Sequence, residues 1–98
     1  MSREPAQRAL TRTVRAVIQG RVQAVWFRAW TAQRAKDLGL DGWVRNRPDG
    51  DVEAVFRGDS QSVARIIAAC QTGPPMAEVT GVDVSEHEAP VGPGFQVL

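Results

Sequence analysis

From Thr13 the chain alternates: Val14, Ala16 and Ile18 stand against Arg15 and Gln19, and Gly20 ends the run. A period of two with one apolar side predicts a half-buried strand. Beyond a short loop the period lengthens. Phe27, Trp30, Thr31, Ala35 and Leu38 recur at helical spacing, and Gly39 stands where a left-handed residue closes a helix. Trp43 to Arg47 and Val52 to Arg57 are short β-compatible runs, and Pro48-Asp49-Gly50-Asp51 between them supplies the restricted and the positive φ of a tight connection, so they predict a hairpin. A second helix follows, capped by Asp59 or Ser60, with Val63, Ile66, Ile67 and Cys70 as its apolar stripe and Gly73-Pro74-Pro75 as its stop. Val79, Val82 and Val84 predict a fourth strand with Gly81 at a bulge, and Phe95-Gln96-Val97 a short terminal one.

The order β-α-β-β-α-β fits two split βαβ units, whose right-handed crossovers put both helices on the same side of the sheet. The expected fold is α+β, a ferredoxin-like βαββαβ sandwich with an antiparallel sheet of four to five strands and two helices on one face. Residues 1–12 mix Ser, Arg, Glu, Pro and Gln without a period and are expected to be a flexible N-terminal tail, leaving 13–98 as one domain.

Composition narrows the function classes. A chain of 98 residues with net charge +1 has no overall field that draws it to nucleic acid or acidic membranes, so any anion site must be local. No apolar run reaches the roughly 18 residues of a membrane span, and Met1 to Arg12 lack the apolar segment of a secretory signal. The single Cys70 forms neither an internal disulfide nor a multi-cysteine metal site. A cytoplasmic monomer without nucleic-acid or membrane partners is the expectation.

Candidate chemistry lies between the first strand and the first helix. Gly20-Arg21-Val22-Gln23-Ala24-Val25-Trp26-Phe27-Arg28 leads from a strand end into a helix N-terminus, where free backbone N–H groups and the helix dipole favour an anion. Arg28, in the first helical turn, is an unfavourable cation at the positive end of the dipole unless an anion lies beside it, and its planar guanidinium suits two phosphate oxygens. Of the tryptophans, Trp26 is the candidate for substrate contact, while the spacing of Trp30 with Phe27 assigns it to the core. His87 stands alone between Glu86 and Glu88 without ligand spacing, and Cys70 on an apolar stripe reads as a small core residue, so no metal or cofactor is expected.

The run Gly20 to Arg28 resembles the acylphosphatase signature G-x-V-Q-G-V-x-F-R, and Gly42-Trp43-Val44-Arg45-Asn46 resembles that family's second motif. The likeness extends from about Val14 to Phe95. It implies hydrolysis of the carboxyl–phosphate bond of a small-molecule acyl phosphate to a carboxylate and inorganic phosphate, without a metal. It further implies that Arg28 binds the phosphate, that residues Gly20 to Phe27 form the phosphate-binding loop, and that Asn46 orients the hydrolytic water. Two positions depart from the pattern. Ala24 replaces a glycine, which costs about 1 kcal/mol or more if positive φ is needed there. The ending Phe95-Gln96-Val97-Leu98 lacks the basic and aromatic residues that often close the family, which bears on the terminal strand and the acyl side of the site.

Two rivals remain on sequence alone. An RNA-binding module of the same fold would need aromatic and glycine residues that Val52-Glu53-Ala54-Val55-Phe56 does not have. A catalytically impaired acylphosphatase-like protein that still binds phosphate or acyl phosphate is the alternative that Ala24 raises.

Overall fold

A computed structural model describes residues 10–98. The alternation that starts the regular part of the chain becomes β1, Thr11–Arg21, with Val14, Ala16 and Ile18 buried on one side. The strand begins two residues before the expected Thr13, because Thr11 and Arg12 pair with Asp59 and Gly58 and the Arg12 guanidinium bonds Glu86 at 3.1 Å. Backbone ladders need no apolar side chain, so period alone does not mark where such a strand starts. Residues 1–9 of the expected tail lie outside the described residues.

Helix α1 is Phe27–Asp37, and its C-terminus is closed as expected by Gly39 at φ 70. The Gly39 N–H donates to Lys36 O and the Leu40 N–H to Ala35 O, the paired bonds of a Schellman motif. Strands β2, Asp41–Asn46, and β3, Val52–Asp59, form the expected hairpin, with Gly50 at φ 99 in its turn. Helix α2 is Ser60–Thr72, with Val63, Ile66 and Cys70 buried. Strand β4, Glu78–Glu86, pairs with β1 through a bulge in which Thr80 is the extra residue, adjacent to Gly81. The bulge turns both Val79 and Val82 against the core.

The sheet order is β4-β1-β3-β2-β5, and the first four strands pair antiparallel. Strand β5, Phe95–Val97, departs from the expected antiparallel sheet by pairing parallel to β2, with Phe95 beside Gly42 and Val97 beside Val44. The reason is topological. The chain leaves β4 on one edge of the sheet and crosses to the free edge of β2 at the other, where the only direction left leads along β2. Phe95 is buried there, stacked on Phe56 at 5.7 Å. Both helices cover the same face: α1 packs on β2 and β5, α2 on β1, β3 and β4, and one cluster joins Phe27, Ala35, Val63 and Ile66 to Val14, Ile18, Val44, Val52 and Phe56. Neither helix is long and apolar enough to cross a membrane.

The uncovered face carries its own order. Glu53 is only 5% exposed although no helix lies over it, because Arg15 and Arg45 on the neighbouring strands close around its carboxylate. Burial pushes this carboxyl up, but the two guanidinium bonds outweigh it and hold Glu53 below the ordinary carboxylate range. Arg45 also lies over the Trp43 ring at 5.4 Å, so Trp43 belongs to this face and not to the site described next.

Candidate active site

The connection from β1 to α1, residues 22–26, is held at three points. Val22 and Val25 are buried in the core. Between them the Gln23 side-chain amide donates to the carbonyls of Arg47 at 2.8 Å and Asp51 at 2.9 Å, tying the loop to the hairpin turn just beyond β2. Gly20, at φ 119 and next to last in β1, lies where a Cβ would stand 2.1 Å from the Glu78 carbonyl oxygen, so no larger residue fits.

So tethered, the loop bends sharply. Ala24 at φ 60 and Trp26 at φ 67 are left-handed, a conformation that costs a residue with a Cβ roughly 1–2 kcal/mol. A glycine, which the signature resembled by this loop has at position 24, would meet this positive φ freely, and Ala24 meets it under strain. Among the described residues, the backbone N–H groups of residues 23–29 have no acceptor within the chain; the first bond of the helix is from Trp30 N–H to Trp26 O. Helix α1 has no side-chain cap and no acidic residue in its first turn. A turn of open amides at the positive end of a helix dipole favours an anion.

Arg28 and Asn46 meet at this loop. Arg28 projects from the first turn of α1, and its Nη1 donates to the Leu98 carbonyl oxygen at 2.9 Å, while Leu98 N–H in turn bonds Val44 O. Among the described residues no Asp or Glu carboxylate pairs with Arg28, whereas Arg12, Arg15, Arg45, Arg47 and Arg57 each face one within 3.4 Å. Asn46 ends β2 two residues after the buried Val44, so the strand's alternation turns it to the helix-covered face, opposite Val52. The two side chains line one cavity of about 200 Å³ together with Val22, Ala24, Trp26, Phe27, Ala29 and Val97.

Not every residue of the expected loop lies at that cavity. Gly20 and Arg21 end β1, with Arg21 4.0 Å from Glu78, while Gln23 and Val25 hold the loop from behind. Sequence reasoning missed Ala29, and it tied the ending Phe95 to Leu98 to the acyl side of the site without singling out Val97 or the Leu98 oxygen. Ala29 is one position past the motif, and the two terminal residues reach the site only through the parallel pairing of β5. The remaining candidates separate cleanly. Trp30 packs edge-on against Phe27 at 5.4 Å. Burial pushes the Cys70 thiol up to about 12, too high for a nucleophile. Among the described residues, no three His, Cys, Asp or Glu side chains converge as metal ligands.

These features define a ferredoxin-like α+β domain with an anion-directed loop between its first strand and helix. Residues 14–97 match the family model described as Acylphosphatase. A protein from Methylococcus capsulatus named Acylphosphatase is 56% identical over 73 residues, which are 74% of this chain and 79% of that one. One of the same name from Rhodospirillum rubrum is 53% identical over 78 residues, 80% of this chain and 86% of that one. The solved acylphosphatase of Coxiella burnetii superimposes with a TM-score of 0.88 at 30% identity, covering 97% of this chain and 100% of that one. The chain belongs to the acylphosphatase family.

Proposed function

We propose that Arg28 and the loop amides hold the phosphoryl group while Asn46 positions the attacking water, in the hydrolysis of the carboxyl–phosphate bond that defines the family. An acyl phosphate is a mixed anhydride whose carboxylate leaves readily. What remains to be supplied is orientation and neutralisation of charge on the phosphoryl oxygens. A guanidinium has five N–H donors, so the bond from Arg28 to Leu98 leaves a fork free for two oxygens, and unpaired amides take the third. The Asn46 amide holds a water in line with the departing carboxylate. Water oxygen bonds to phosphorus as the phosphorus–oxygen bond to the acyl group breaks, the carboxylate leaves with the electron pair, and the water proton passes to a phosphate oxygen. No acid, base or metal ion is required in this scheme.

The observation that supports it most is the convergence of Arg28 and Asn46, from separate elements, on one cavity at an uncapped helix N-terminus. The working form proposed is a cytoplasmic monomer, and the lone buried cysteine is in keeping with a reducing compartment.

The test is benzoyl phosphate hydrolysis, followed by ultraviolet absorbance with and without a chelator. The wild-type protein turns over equally in both, and Arg28→Ala loses at least about a hundredfold to a thousandfold in rate, the effect of removing one preorganised contact. Chelator-sensitive turnover would refute the metal-free scheme. Phosphate binding by a folded wild type that shows no turnover would select the impaired alternative.

A further inference from the structure

Trp26 is anomalous on three counts. It is a large apolar side chain that is 81% exposed, it holds a left-handed backbone conformation, and it occupies the N-cap of α1 without donating or accepting a capping bond. Exposure on this scale returns no burial free energy to folding, and the backbone strain opposes it. Yet Trp26 lines the cavity, directly before Phe27 and Arg28.

The cavity's lining is of two chemical kinds. Arg28 and Asn46 are its polar groups, and its other lining side chains, Val22, Ala24, Trp26, Phe27, Ala29 and Val97, are apolar. The cavity is open to solvent, so the acyl group of a bound acyl phosphate extends toward its rim. The rim there is Trp26, whose ring is open to solvent and free to stack.

We infer that Trp26 is the acyl-specificity residue of this enzyme, an aromatic shelf that selects aryl acyl phosphates over short aliphatic ones. The inference rests on the reading of Arg28 and Asn46 as the phosphate end of the same cavity. Stacking on the shelf stabilises the acyl group and leaves phosphate contacts untouched, so substrates without a ring gain nothing from it.

The test compares benzoyl phosphate with acetyl phosphate for the wild-type protein, Trp26→Ala and Trp26→Phe, with inorganic phosphate as competitive inhibitor throughout. Trp26→Ala is expected to lower the ratio of kcat/KM for benzoyl phosphate to that for acetyl phosphate by about fivefold to tenfold, the size of one aromatic contact. Trp26→Phe restores most of that ratio, and the phosphate inhibition constants of the three proteins report any change at the phosphate end separately. Equal losses on both substrates, or no loss on benzoyl phosphate, would overturn the inference. Wild-type protein that hydrolyses neither substrate would instead remove the phosphate-site reading beneath it, an outcome distinct from either.

Discussion

Helix α2 is entered through Asp59, whose carboxylate accepts the Gln61 N–H at 3.1 Å and the Ser62 N–H at 3.3 Å. Helix α1 is entered through Trp26, which caps nothing, and its first turn holds a cation in place of an anion. Both helices pack on the same sheet and both bury one face, so the requirements of folding do not separate them. One helix satisfies its N-terminal amides internally. The other leaves them open and adds Arg28 where the dipole disfavours it, with a Leu98 oxygen as its partner among the described residues, an arrangement that an external anion would favour. The contrast supports the proposal that the α1 terminus is the functional one, with the capped helix as its control.

Giving α1 a carboxylate of its own is the strongest way to break that contrast. Trp26→Asp places a negative charge at the open terminus, where it competes with the phosphoryl group. Turnover of benzoyl and acetyl phosphate should both fall by at least about tenfold. Loss confined to benzoyl phosphate would mean that only the ring matters at this position. The reciprocal change, Asp59→Ala, uncaps α2. It should cost about 1 kcal/mol in chemical denaturation and leave kcat and KM unchanged; a drop in activity without a drop in stability would show the two termini to be coupled. The smallest effect belongs to Ala24→Gly, which relieves the left-handed strain but loosens the unfolded chain. A net gain of about 0.5–1 kcal/mol is expected from the same denaturation experiment. Destabilisation would show that Ala24 is unstrained.

Much of this was legible in the residues. The alternation of β1, the stripe of α2, the Asp59 cap and the Gly39 stop each follow from local rules, and the structure has all of them. Arg28 and Asn46 were nominated by motif, yet no local rule states that they share a cavity. That depends on the register of β2 and on Gln23 reaching the carbonyls of Arg47 and Asp51, which are contacts between distant segments. Glu53 was illegible for a related reason. A charged residue within a strand reads as solvent-facing, and its burial depends on two arginines from neighbouring strands. The parallel pairing of β5 brings Val97 and Leu98 to the site, and a three-residue strand carries too short a pattern to reveal its partner.

Calorimetric titration with inorganic phosphate tests the central claim most directly, run on the wild-type protein, Arg28→Ala and Asn46→Ala, each checked for folding by circular dichroism. The account predicts that Asn46→Ala binds phosphate within about twofold of wild type while losing turnover, and that Arg28→Ala loses at least about tenfold in affinity, as removal of a charge-assisted contact requires. Equal weakening in the two variants, or phosphate binding undiminished in Arg28→Ala, would contradict the division of labour between the open helix terminus and the strand.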